Sequence, residues 1–301
     1  MNHPDRPAAS KTGVTVVGCG YTGRRLLKLC REAGRDLLGI VRSGESLAAL
    51  RASGAAAEVL DLDAPGGQLP AGWSRDRAVI YMAPPPDAGE TDPRLRSFLA
   101  RLGAAPRVLV YLSTTAVYGD TGGAAVDEES LAAPSSARGQ RRLDAERAVQ
   151  AYGAANGVAV RILRVPGIYG PGRLPLDRIR QRAPVVLAAE AGPGNRIHVD
   201  DLAGACLAAA DYAGSVAVFN VGDGGHASMT DFCNVVARAA GLDEPPQLPL
   251  REVLARVSPA MRGFLGESRR VDTRRMQAEL GFTPRYCDLA AGVAASLAEQ
   301  G

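Results

Sequence analysis

Three glycines carry the first chemical signal. Gly18, Gly20 and Gly23 follow the apolar run Val14–Val17 in the spacing Gly-x-Gly-x-x-Gly, with Tyr21 and Thr22 between them. Glycines between a strand and a helix let backbone N–H groups at the helix N-terminus meet a pyrophosphate. Gly18 is expected to allow the tight turn, Gly20 to let the backbone approach the phosphate, and Gly23 to let helix and strand pack closely. A glycine-rich turn without a ligand is the alternative, but an apolar strand before it and a helical pattern after it are the context a dinucleotide site requires. The second apolar run, Leu37–Val41, ends in Arg42 and Ser43. An acid there would take the ribose 2′-hydroxyl of NAD, whereas Arg42 and Ser43 suit a 2′-phosphate. NADP(H) is therefore expected ahead of NAD(H), with a solvated arginine as the competing reading of Arg42. Asp61, after the third run, is placed either to bind the adenine amino group or as an ordinary turn aspartate. Ala83, Pro84 and Pro85 close the fourth run and are assigned to the same cofactor edge.

A second group of reactive side chains lies about ninety residues on. Val108–Asp120 reads VLVYLSTTAVYGD, an apolar run leading into hydroxyls. It resembles the strand that carries the catalytic Ser or Thr in extended short-chain dehydrogenases/reductases, the NAD(P)-dependent epimerase/dehydratase family. Counting back from Val117-Tyr118-Gly119, the resemblance puts that hydroxyl on Thr114. Arg164–Arg173 (RVPGIYGPGR), Arg196–Leu202 (RIHVDDL), Phe219–Gly222 and Glu279–Phe282 are similar to later family segments, in the same order.

Two departures stand out. The family's first turn glycine is Val17 here. The family's Tyr-Gly-x-x-Lys-Leu-x-x-Glu falls on Arg138–Glu146, with Gly139, Leu143 and Glu146 holding the register, so that Tyr becomes Arg138 and Lys becomes Arg142. That combination resembles an atypical subgroup. In the family the tyrosine exchanges a proton with the substrate during hydride transfer, and the lysine lowers its pKa and holds the nicotinamide ribose. Arginine titrates above pH ~12 and cannot act as a base near neutrality, but it still donates hydrogen bonds and charge. Arg142 is then expected on the ribose hydroxyls, Arg138 on a substrate carbonyl or anion, and Thr114 orienting that group. A solvated helix face, with Arg138, Arg141 and Arg142 beside Asp144 and Glu146, is the other reading. Tyr118, Tyr169 and His198 are weaker substrate-side candidates, each with a packing or structural role as its alternative. Arg173 and Arg196 could hold a substrate phosphate or carboxylate, with a surface role as theirs.

These groups need a scaffold that brings strand ends together. Short apolar runs alternate with helical patterns through the first half, the mark of βαβ units and a parallel sheet. Strands are expected at 14–17, 37–41, 58–60, 78–82, 108–112 and 158–163. Helices are expected at 22–33, 45–52, 94–102 and 136–152. Beyond Pro166 the elements shorten, with helices at 200–210, 230–240, 273–280 and 289–298 and a strand at 216–221. The fold class is α/β, a Rossmann-type doubly wound parallel sheet with a smaller C-terminal α/β substrate lobe. Residues 1–11 read as a frayed tail, 12–165 as the NAD(P)-binding domain and 166–301 as the lobe, with parts of about 197–222 returning to the main sheet.

Composition narrows the function classes. The 301 residues are 46% hydrophobic and 22% charged with a net charge of +3, which gives no footprint for nucleic acid. No apolar stretch is long enough to span a membrane, and the N-terminal segment lacks a signal-peptide core. Cys19, Cys30, Cys206, Cys233 and Cys287 are dispersed, as are His3, His198 and His226. That pattern predicts reduced thiols, a cytoplasmic location and no metal site. Lysine occurs only at positions 11 and 28, so no later lysine can act in catalysis. The resemblance implies an oxidoreductase or epimerase/dehydratase acting on a carbonyl or hydroxyl compound, polar or anionic, in the manner of a sugar nucleotide, in a chain that pairs as a homodimer. The alternative is a non-catalytic NADP(H)-binding sensor or regulator, which the missing Tyr and Lys favour.

Overall fold

The computed structural model describes residues 12–64, 66–69, 71–102 and 105–300; the tail expected at 1–11 lies outside them. Five strands open the chain: β1 (Val14–Val17), β2 (Leu37–Val41), β3 (Ala56–Val59), β4 (Ala78–Tyr81) and β5 (Val108–Thr114). Four helices connect and follow them: α1 (Tyr21–Glu32), α2 (Gly44–Ala52), α3 (Pro93–Arg101) and α4 (Ala137–Asn156). Every residue of β1, β4 and β5 is buried. Strands covered on both faces must be apolar on both, which is why these segments read as continuous rather than alternating runs.

The seven-stranded sheet has the order Val218–Asn220, Ala159–Val165, β5, β4, β1, β2, β3, and each of its pairings is parallel. Chain order reverses between β1 and β4, the switch point at which doubly wound sheets form their binding crevice. One face is packed by Leu26, Leu27 and Cys30 of α1 and by Leu202, Ala205 and Ala209 of the helix Val199–Asp211. The other is packed by Leu95 and Phe98 of α3 and by Ala145 and Val149 of α4.

Local sequence sets the helix ends. Asp92 accepts from the Leu95 N–H and Pro93 occupies the first turn, so α3 starts there. Ser136 caps α4 by accepting from the Gly139 N–H, and Gly157 ends it at φ 64°, a left-handed position that favours glycine.

The second half crosses the C-terminal edge of the sheet in shorter pieces. Gly167–Tyr169 pairs with Arg196–His198, Ala125–Val126 with Arg270–Val271, and Val185–Val186 with Gln247–Leu248. Tyr169, Ile179, Phe232, Val236 and Val293 form a separate apolar cluster there. No helix among the described residues is long and apolar enough to cross a membrane.

Candidate active site

The glycine turn is built from the strand upward. Gly18 sits at φ 80°, and a Cβ there would lie 2.6 Å from the Ala83 nitrogen. Both the backbone angle and the approach of the β4 loop demand glycine at this point. At Gly23 a Cβ would reach 2.8 Å from the Cys19 sulfur, so this glycine lets α1 seat against β1. Gly20 differs: a Cβ would meet only the Gly18 oxygen, at 3.9 Å. The space over Gly20 is open. Gly20 is also the N-cap of α1, which has no side-chain cap and no acid in its first turn. An uncapped helix N-terminus with open space above a glycine fits a dinucleotide pyrophosphate.

The residues expected on the adenosine side lie at the ends of β2, β3 and β4. Arg42 is exposed, without an ion-pair partner among the described residues. Ser43 caps α2, accepting from the Ser46 N–H at 3.3 Å. Asp61 accepts from the Asp63 N–H at 3.0 Å, an Asx-type turn contact. Arg94 joins the two walls: its Nε and Nη2 donate to both Asp63 oxygens at 2.8 and 2.5 Å, and its Nη1 donates to the Pro84 oxygen. This bidentate pair holds the Asp63 carboxyl below its usual range. Sequence reasoning overlooked Arg94, whose role depends on two loops that meet only in the fold.

A cavity of about 750 Å³ lies between the sheet edge and the second half of the chain. Thr114, Arg138, Tyr169 and Arg173 all line it, so four residues scattered in sequence come together. Thr114 is the last residue of β5, and its hydroxyl accepts from the Ala116 N–H. A Cβ on Gly139 would come within 2.8 Å of the Ala116 oxygen. That glycine lets the first turn of α4 press against the 3-10 turn Thr115–Tyr118, and Arg138 lines the same cavity as Thr114.

Arg142 is not on the cavity lining. Its Nη1 donates to the Leu112 oxygen at 2.9 Å and to the Tyr111 hydroxyl at 3.1 Å, tying α4 to β5. Tyr118 is also off the lining. It is buried, donates to Asn220 Oδ1 at 2.7 Å and lies under the Arg164 guanidinium. His198 caps the helix Val199–Asp211: Nδ1 accepts from the Asp200 N–H, which leaves Nε2 to donate to Ser296. Burial pushes its pKa down, keeping the imidazole neutral. Tyr169 lines the cavity, but a Cβ on Gly292 would collide with its hydroxyl, so the phenol oxygen is packed against the helix Leu289–Ala298. Burial raises its pKa, and the hydroxyl has no hydrogen-bond partner among the described residues.

Arg173 stacks on the Tyr21 ring, and Tyr21 donates to the Pro171 oxygen at 2.9 Å. The glycine turn and the RVPGIYGPGR segment are therefore in contact. Arg196 is 6% exposed, which removes its surface reading; it donates to the Ala227 and Ser228 oxygens and lies over Phe232. Beneath the site, Glu146 accepts from Ser113 and forms a buried pair with Arg164, Nη2 to Oε2 at 2.8 Å. This explains why Glu146 keeps the register of α4: it anchors the helix to the two central strands.

The fold and this edge define a doubly wound protein of the dinucleotide-binding class. Residues 94–222 match the model of the NAD dependent epimerase/dehydratase family. The chain is similar to a functionally unknown conserved protein from Silicibacter pomeroyi, with 30% identity and a TM-score of 0.82 over 96% of this chain and 99% of that one. The uncharacterised protein y4nG of Sinorhizobium fredii is 27% identical over 198 residues, 59% of this chain and 49% of that protein, so the match spans about half the length of that relative. A UDP-glucuronic acid 4-epimerase from Bacillus cereus, solved in complex with NAD, shares the fold at a TM-score of 0.72 and 18% identity over 95% of this chain and 97% of that one.

Proposed function

We propose that this chain binds NADP(H), and NAD(H) more weakly, along the C-terminal edge of its parallel sheet, and interconverts a hydroxyl and a carbonyl on an anionic small molecule held in the adjoining cavity. The observations that carry this reading are that Thr114 and Arg138 line one cavity, and that Arg173 of the same lining stacks on Tyr21 at the uncapped N-terminus of α1. Gly18, Gly20, Tyr21, Thr22 and Gly23 would cradle the pyrophosphate. Arg42 and Ser43 would meet the 2′-phosphate, with Asp61, Ala83, Pro84 and Pro85 along the adenosine side. The bound nicotinamide supplies or takes up a hydride. Thr114 orients the substrate oxygen. Arg138 stabilises negative charge at that oxygen, and because a guanidinium cannot accept a proton near neutral pH, the proton comes from water.

Residues 12–165 serve the cofactor and 166–301 shape the substrate cavity, with part of 197–222 serving the main sheet. A sugar nucleotide is the substrate class to test first, since the Bacillus cereus relative acts on one. A cytoplasmic homodimer completes the reading. The second reading, an NADP(H)-binding regulator without turnover, is favoured by the placement of Tyr118 and Tyr169, neither of which offers a phenol to the cavity. Oxidation of NADPH across a panel of sugar nucleotides and anionic carbonyl compounds separates the two. Turnover that Thr114→Val abolishes supports the first reading; tight NADPH binding with no turnover across the panel supports the second.

A further inference from the structure

Six arginines line the cavity: Arg138, Arg141, Arg173, Arg178, Arg196 and Arg269. Among the described residues, the acids on its lining are Glu190 and Glu267. Both are engaged elsewhere. Glu267 accepts from Arg269 at 2.5 Å and from Ser135 at 2.8 Å, and Glu190 accepts from the Leu250 N–H. The acids of α4 are turned away too. Asp144 pairs with Arg96, and Glu146 with Arg164.

Two of these arginines stand one helical turn apart at the start of α4. Arg138 has neither a hydrogen-bond nor an ion-pair partner among the described residues. Arg141 is 8% exposed; its Nη1 donates to the Gly89 oxygen at 2.6 Å, while its Nε is buried without a partner. Burial, and then the charges of Arg142 and Arg141, push the Arg138 pKa down, with the Glu267 carboxylate opposing them. Arg138 is exposed on the cavity lining while Arg141 is buried, and Glu267, a carboxylate whose charge reaches Arg138, is already bound to Arg269 and Ser135, so a ligand anion would find the pair incompletely neutralised. The N-terminus of a 20-residue helix adds its own preference for negative charge at the same spot.

We propose that Arg138 and Arg141 form an oxyanion subsite beside Thr114, so that the substrate carries a carboxylate or phosphate next to its reacting carbon. The charge that Arg138 meets is then permanent, and does not arise only as the substrate oxygen reacts. This inference rests on the cavity being the substrate site. It narrows the substrate to compounds whose reactive end is itself anionic, whatever group occupies the far wall. A tyrosine at position 138 would meet a neutral hydroxyl; a guanidinium here selects a charged neighbour.

The test is calorimetric titration of malonate and of inorganic phosphate into the full chain, with Arg138→Gln, Arg138→Lys and a control. Among the described residues, Arg138 makes no hydrogen bond or ion pair that its loss would break. Arg180→Gln, at an exposed residue off the cavity lining, is the control. One of the two anions is expected to bind, which also tells carboxylate from phosphate. Arg138→Gln should weaken it by about tenfold or more, Arg138→Lys by less, and Arg180→Gln not at all. Absence of binding by either anion, or binding that Arg138→Gln leaves unchanged, overturns the subsite. NADPH titrated into the same variants keeps this distinct from the broader reading: unchanged NADPH affinity without anion binding sinks only the subsite.

Discussion

Arg173 stacks over Tyr21, its guanidinium carbon 3.9 Å from the ring centroid. Tyr21 opens α1 directly after Gly20, and Arg173 lines the cavity. One cation therefore borders both halves of the proposed site. Arg173→Ala should weaken NADPH and a bound anion together, each by about three- to tenfold, since a partly solvated charge contributes ~1 kcal/mol. Calorimetry with each ligand checks this. A loss confined to one ligand would show that Arg173 serves only that side.

Gly18 and Gly20 should respond differently to substitution. Gly18→Ala forces a Cβ onto the Ala83 backbone at φ 80°, so it should lower thermal stability, by at least the ~1–2 kcal/mol cost of a left-handed residue. Gly20→Val meets open space and should unfold at the wild-type temperature. Thermal unfolding of both variants tests the contrast. Equal losses of stability would mean that Gly20 is held by the fold and not by a ligand.

Arg42 stands at the end of β2 where an acid would select NAD. NADPH should bind about tenfold or more tightly than NADH, and Arg42→Ala should remove most of that difference. Paired titrations decide it; a variant with unchanged preference would take Arg42 out of the site.

Asp223 should shape the pH dependence of stability. It is 8% exposed, and burial lifts its carboxyl to about 6, with Asp201 adding to the effect and the Gly225 N–H and Arg196 opposing it. The unfolded value is near 3.8. The folded chain thus binds more protons between about pH 4 and about pH 6, so the contribution of this group falls as pH rises through that window and is flat above it. Urea unfolding of wild type and Asp223→Asn across pH should show the wild-type advantage shrinking by on the order of 2–3 kcal/mol. A difference independent of pH would contradict the buried-carboxyl account.

Much of the scaffold is legible because its signals are local. The run Val14–Val17, its glycines and the apolar stripe of α1 lie within twenty residues of one another, and strand, turn and helix each have their own period. Thr114 and Arg138 could be placed because Val117–Gly119 and Gly139 fix the register on either side. The structure gives that register its physical basis: Gly139 packs on Ala116, and Glu146 binds Ser113 and Arg164. What stayed hidden depends on contacts between distant segments. Two- and three-residue strands such as Ala125–Val126 and Arg196–His198 carry no readable period. Glu267 and Arg269 reach the cavity wall from more than 120 residues beyond Arg138, beside a short helix that composition alone does not announce. Arg142 reads as a free cation in sequence, but the Leu112 carbonyl and the Tyr111 hydroxyl claim it once α4 docks on β5.

The central claim is that the open space over Gly20 holds a nicotinamide dinucleotide. Calorimetric titration of NADPH into the wild-type chain and into Gly20→Val, with the folding of both verified, tests it most directly. The account predicts saturable binding at one site per chain in the wild type and none in the variant, because the valine side chain would occupy the place of the pyrophosphate. Binding that persists in a folded Gly20→Val, or no binding by the wild type, would contradict it.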